Sequence, residues 1–216
     1  PEESKSSAAY LASFADNAYR EIAELLDTAP ETRIVVVITP DPEELNGYYT
    51  PYPFPKIVLY EAAIDPNENL GSFQDDLYKL FYHELTHAVS LGIRGKLQNA
   101  LVKVFGSPLG LSNYLAPLSF VEGVTVSFES RDGFGRAADP LAAGIIRQDI
   151  LEGNFKTWEQ AAGAWDGYPY GSYYIYGGYF SAYLQERFGM EAYADVWKRI
   201  GTGMVFKPLR KGLFSQ

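Results

Sequence analysis

The chain has two histidines, His83 and His87, and they stand four residues apart in the run His83-Glu84-Leu85-Thr86-His87. Residues four apart on a helix share one face, about 6 Å from each other along the axis, so both imidazoles can reach a common metal ion. Glu84 is one position on from His83 and points to the side, towards a water on such a metal rather than the metal itself. This is the H-E-x-x-H pattern, in which two histidines bind zinc and the glutamate serves as general base. The chemistry it supports is metal-assisted hydrolysis.

A catalytic zinc takes three protein ligands and keeps a fourth position for water. The sequence holds no cysteine and no third histidine. The third ligand must therefore be a carboxylate, or come from outside the chain. Glu122 is the leading candidate, because Ser119-Phe120-Val121-Glu122-Gly123-Val124 surrounds it with residues that pack into a core. A buried carboxylate without a partner is costly, and a bound cation removes that cost. Gly123 leaves room beside it for the close approach of another helix. Ser119 and Glu122 also fit a capping box, which is the purely structural reading of this glutamate. Glu129 is the alternative ligand.

These residues need elements to hold them. Apolar residues recur at helical spacing over 4–26, and Pro30 ends the pattern. The β-branched run 33–39 predicts a buried strand, and 56–62 predicts a second one at a sheet edge. Between them, 41–55 is rich in Pro, Gly, Asn and Tyr and reads as a loop. Ser72 is a candidate N-cap, with Asp75 and Asp76 in the first turn, for a helix that carries the histidines and ends near Gly92. An amphipathic stretch over 96–111 is interrupted by Gly106-Ser107-Pro108; its readings are core packing or an interfacial or substrate-channel helix. Further helices are predicted over 120–129, 140–152, 173–188 and 191–200, with a polar loop over 131–140. The expected architecture is a single α+β domain over 1–216. It has a mixed N-terminal lobe over about 1–95, bearing the sheet and the histidine helix, and a helical lobe over about 96–216.

Composition narrows the partners. A content of 47% hydrophobic and 21% charged residues is that of a folded globular chain. A formal net charge of −9 disfavours nucleic acid, which needs clustered Lys and Arg. No run approaches the roughly 20 apolar residues that span a bilayer. The opening Pro1-Glu2-Glu3-Ser4-Lys5 is neither an initiator methionine nor a signal peptide. It is read as a mature chain whose export signal has been removed, which places the protein in the periplasm, on the cell surface or outside the cell.

The histidine run, followed by Phe120-Val121-Glu122-Gly123 with Glu129 seven residues beyond Glu122, resembles the gluzincin metallopeptidases. It is closest to the bacterial peptidase MA-like group, and Tyr176-Gly177-Gly178-Tyr179-Phe180-Ser181-Ala182-Tyr183-Leu184 is similar to a later helix of that group. The resemblance covers roughly 33–200. It implies a zincin-like fold with the active-site cleft between the two lobes, one catalytic Zn2+ held by His83, His87 and Glu122, and Glu84 as catalytic base. It also implies an oxyanion-stabilising tyrosine, with Tyr176 as the candidate and Tyr173 and Tyr174 as neighbours within reach. The strand 56–60 falls where the family lays its peptide substrate, and members often carry further domains past a boundary such as Gln216. One position departs from the thermolysin-like subgroup, which keeps an aspartate four residues after the ligand glutamate. Here that residue is Val126, so the group that orients a ligand imidazole must be Glu129 or a backbone carbonyl.

The expected function is a zinc metallopeptidase acting on a peptide or protein substrate through a zinc-activated water. Two other classes fit less well. A peptide- or glycan-binding module that keeps the metal has no use for Glu84. A structural zinc needs a fourth protein ligand. Arg131, Arg136 and Arg147 could bind a substrate carboxylate, or simply be solvated surface arginines.

Overall fold

The computed structural model describes residues 2–28, 33–40, 46–61, 76–105, 116–162 and 171–202 of the 216. In chain order the elements are α1 (Lys5–Leu25), β1 (Val35–Thr39), β2 (Asn46–Thr50), β3 (Lys56–Tyr60), α2 (Asp76–Ser90) and α3 (Lys96–Phe105). They are followed by α4 (Leu118–Glu129), α5 (Pro140–Leu151), α6 (Trp158–Ala162), α7 (Ser172–Phe188) and α8 (Met190–Thr202). The fold is α+β, as expected. The cap predicted at Ser72 and Asp75 and the break at Gly106-Ser107-Pro108 lie outside the described residues.

The sheet corrects two expectations. Its order is β1-β3-β2, with β1 parallel and β2 antiparallel to β3. The strand Lys56–Tyr60 is therefore central rather than at an edge. The reason is visible in its burial: Ile57 and Leu59 are fully buried and Val58 nearly so, as a strand covered on both faces requires. The second correction is β2, which arises within a stretch whose composition reads as a loop. Tyr48, Tyr49 and Thr50 suit a pleated surface once a partner strand is present. Gly47 fits because a Cβ there would stand 3.1 Å from both Leu59 Cδ2 and Val58 O. Residues 41–45 of that expected loop are outside the described part.

Helix α2 is the centre of the molecule. It packs on α1, β2, β3 and α4, and every residue from Phe81 to Ser90 is buried. A helix buried all round is normally apolar all round, yet this one carries His83, Glu84, Thr86, His87 and Ser90. Thr86 satisfies its hydroxyl on Tyr82 O at 2.8 Å, and Ser90 reaches His87 O at 3.4 Å. The two imidazoles and Glu84 have no such local answer, and that singles them out. One apolar cluster ties the halves of the chain together, with Ile22, Leu59, Val89, Val124 and Trp197 among its members. Phe120 of α4 stacks on Trp197 of α8, centroids 4.9 Å apart.

The position of α4 is set by its crossing with α7. A Cβ on Gly123 would lie 2.4 Å from Gly177 O, and one on Gly177 would lie 2.1 Å from Ser119 O. Only bare backbone allows the two helices so close. The short helix α6 was not expected from the sequence. No described helix is long and apolar enough to cross a membrane.

Candidate metal centre

Helices α2 and α4 bring His83, His87 and Glu122 together, with their ligand atoms all within 4.8 Å of one another. Glu122 Oε2 stands 3.4 Å from His83 Nε2 and 3.2 Å from His87 Nε2. Neither approach is aligned as a hydrogen bond, and Glu122 Oε2 is buried with no hydrogen-bond partner. In a tetrahedral site with bonds of about 2.0–2.1 Å, neighbouring ligand atoms stand roughly 3.3 Å apart. The donor set therefore fits a metal ion. Three ligand atoms converge within 4.8 Å, and the oxygen among them has no aligned hydrogen-bond partner. Glu84 lies in the same helix and is 5% exposed.

Glu129 is two helical turns beyond Glu122, on the same face of α4. Its Oε2 meets His83 Nδ1 at 2.9 Å. The tautomer that frees His83 Nε2 to ligate carries its proton on Nδ1, and this carboxylate accepts it. Glu129 thus meets the nitrogen of His83 that faces away from Glu122, and it is not among the three residues whose ligand atoms cluster. Val126 instead packs towards α7, where a Cβ on Gly178 would lie 2.4 Å from its Cγ1. An aspartate at 126 would face that helix crossing.

The charges around His83 are closely set. Arg136 grips Glu129 with Nε on Oε1 at 2.8 Å and Nη2 on Oε2 at 2.9 Å, and its backbone N–H donates to Oε1 at 3.3 Å. Burial would raise the Glu129 carboxyl, but Arg136 and then His83 outweigh it and bring it down to about 2. Burial would likewise raise Glu122, yet the two imidazoles beside it hold it far below the usual carboxylate range. Burial and Arg136 oppose a charged His83, but Glu122 and Glu129 prevail and push it up to about 9. Two anions thus surround this imidazole, a field that favours a cation at the site. Lys79 closes the cluster from α2, donating to Glu129 O and, at 2.6 Å, to Asp132.

Tyr176 is not brought to this centre. Its hydroxyl donates to Asp149 of α5 and accepts from Lys156 N at 3.4 Å. Tyr174 is the tyrosine on the metal side, its ring 6.3 Å from His83 and its face 4.7 Å below the Arg136 guanidinium. The correction has a simple cause, since two residues along a helix is more than half a turn. The signal that could have found it is the small-residue stripe of α7. Gly178 faces α4, and Tyr174, four residues before it, shares that face. Arg136, read from the sequence as a candidate for a substrate carboxylate or as a solvated surface residue, has a partner of its own. It binds the buried Glu129, with its own side chain half-buried.

The chain is 38% identical over 200 residues to an uncharacterized protein of Treponema pallidum (strain Nichols), an alignment that covers 91% of this chain. The chain spans 17% of the length of that relative. No family model matches the sequence, and no solved structure matches it.

Proposed function

We propose that this chain is a zinc-dependent peptidase domain of gluzincin type with a zincin-like fold. The observation that carries the reading is that Glu122 Oε2 stands 3.4 Å from His83 Nε2 and 3.2 Å from His87 Nε2, with the ligand atoms of all three residues within 4.8 Å of one another and the buried Glu84 in the same helix. A zinc ion bound there supplies Lewis acidity, lowering the pKa of water and polarising a carbonyl. Among the described residues no fourth carboxylate or imidazole joins the three, which supports a catalytic rather than a purely structural centre.

The remaining work falls to side chains. Glu84 accepts the proton of the attacking water on its carboxylate and hands it to the leaving amine, acting as base and then acid. Glu129 holds the His83 ring in the ligating tautomer. Tyr174 takes the place first given to Tyr176, as the hydroxyl that donates to the developing oxyanion. Burial, and then the negative Glu122, raise its pKa, so it stays a protonated donor. With β3 enclosed, a peptide adds to the sheet on β2, the strand beside α2 whose outer edge pairs with no described strand.

The test is hydrolysis of a mixed peptide library by the purified protein, with and without a chelator and with zinc restored. Cleavage that disappears with the metal and returns with it supports the reading. Stoichiometric zinc without any cleavage rejects it in favour of a metal-bearing binding module.

A further inference from the structure

Arg136 sits outside the ligand set and yet touches everything that orients it. Its guanidinium binds both oxygens of Glu129, at 2.8 and 2.9 Å, and the same Oε2 meets His83 Nδ1. Its Nη2 also lies 2.6 Å from that ring nitrogen, a close approach and not a hydrogen bond when Nδ1 carries the proton that Glu129 accepts. Its Cζ lies over the Tyr174 ring, 4.7 Å from the centroid. Glu129 is 2% exposed and the Arg136 side chain 21%, so this is a bidentate ion pair on a buried carboxylate, with a fixed direction rather than a mobile surface contact. A lysine could supply the charge but neither the two-pronged grip nor the planar stack.

We infer that Arg136 is a positioning residue that aligns two parts of the centre at once, the His83 imidazole through Glu129 and the Tyr174 ring by direct stacking. The inference rests on the metal-site reading for its first half only, because the stack on Tyr174 belongs to the protein alone. Geometry explains why one cation can serve both. The loop after α4 returns to the end of that helix, with Gly133 N–H on Ser130 O at 3.1 Å and Ala137 N–H on Ser130 Oγ at 3.0 Å. That return brings residue 136 back beside Glu129, between α2 and the start of α7. The grip also turns Glu129 towards His83 Nδ1, which keeps its carboxylate from competing with water for the metal. Second-sphere partners of this kind change metal affinity about 10- to 100-fold when they are lost.

The experiment compares the wild-type chain with Arg136→Lys and Glu129→Gln, each carrying fluorotyrosine. The 19F line of Tyr174 is identified by its absence in Tyr174→Phe. Each protein is titrated with Co2+ alone, reading affinity and the visible ligand-field spectrum, and its melting temperature is recorded without metal. The expected result is that Arg136→Lys remains folded, binds Co2+ about 10- to 100-fold more weakly with an altered spectrum, and shifts the Tyr174 line. Glu129→Gln should reproduce the Co2+ change and leave Tyr174 closer to its wild-type position. An Arg136→Lys protein with wild-type Co2+ affinity and spectrum and an unmoved Tyr174 line overturns the inference. If the wild type itself binds no Co2+, the metal reading falls, and the Tyr174 line alone then decides whether Arg136 aligns that ring. If Arg136→Lys does not fold, Glu129→Gln decides the His83 half: unchanged Co2+ affinity and spectrum there overturn it.

Discussion

The two sides of α7 hold the same ingredients and use them differently. On one side Asp149, Lys156 and Tyr176 form a closed set. The tyrosine donates to the aspartate and accepts a backbone N–H, and Lys156 Nζ lies 3.8 Å from the same carboxylate. On the other side Glu129, Arg136 and Tyr174 form a similar trio, but it leans on His83, and beyond His83 lies Glu122 Oε2, buried and without a donor. A buried polar group normally finds its partners. The far trio meets that rule within itself, whereas on the near side Glu122 Oε2 and His87 Nδ1 are both buried without a hydrogen-bond partner. Chemistry is therefore assigned to the side with unmet demand.

The sharpest way to break this comparison is Glu84→Gln. It is expected to keep one zinc per chain by metal analysis while losing about 100- to 10,000-fold in peptide turnover; undiminished turnover would remove the catalytic assignment. Next comes Glu122→Gln. Zinc at about 1,000 times its dissociation constant should stabilise the wild type by about 4 kcal/mol in urea unfolding, and most of that gain should vanish in the variant. A full gain would mean that the metal sits elsewhere.

A third test compares the tyrosines. Tyr174→Phe is expected to lower turnover about 100-fold with zinc retained. Tyr176→Phe should leave turnover unchanged and destabilise the fold by about 1 kcal/mol. The reverse pattern would restore Tyr176 to the site and overturn the division between the two faces. The helix crossing beneath both faces is probed by Gly177→Ala, whose methyl would meet Ser119 O. A loss of about 1–3 kcal/mol by denaturant unfolding is expected, since α4 must move. Stability equal to wild type would show that the crossing has slack.

The smallest effect concerns acid. Burial opposes charge on Asp132, but Lys79 and the Phe134 N–H together outweigh it and lower its pKa. A carboxyl depressed in the folded state adds stability above its unfolded pKa and loses it as pH falls through the folded one. Asp132→Asn should therefore flatten the fall in stability between about pH 4 and the acid end of the titration. An unchanged acid limb would show that Lys79 is held by Glu129 O alone.

The parts of the site that could be read from the sequence are those set by helical spacing. His83 and His87 fall on one face of α2, and Glu122 and Glu129 on one face of α4, because four and seven residues are close to whole turns. Gly123 was legible as a point of close approach. Strand β2 was hidden, because a short run of Asn, Gly and Tyr becomes a strand only when β3 lies beside it. Arg136 was hidden too, since nothing in residues 130–135 announces that the loop turns back on α4.

By itself, the sequence determined which types of donor a metal could find. With two histidines, no cysteine and a carboxylate needed to complete the site, the ligand chemistry follows from residue types and local period. Only the tertiary structure decided which tyrosine lies beside His83, which carboxylate joins the two imidazoles and which meets His83 Nδ1, and that β3 is enclosed. Those outcomes depend on contacts between residues tens of positions apart, such as His83 with Glu129 and Gly177 with Ser119. No local period encodes them, because they are fixed by how bare backbone and buried charge let the helices cross.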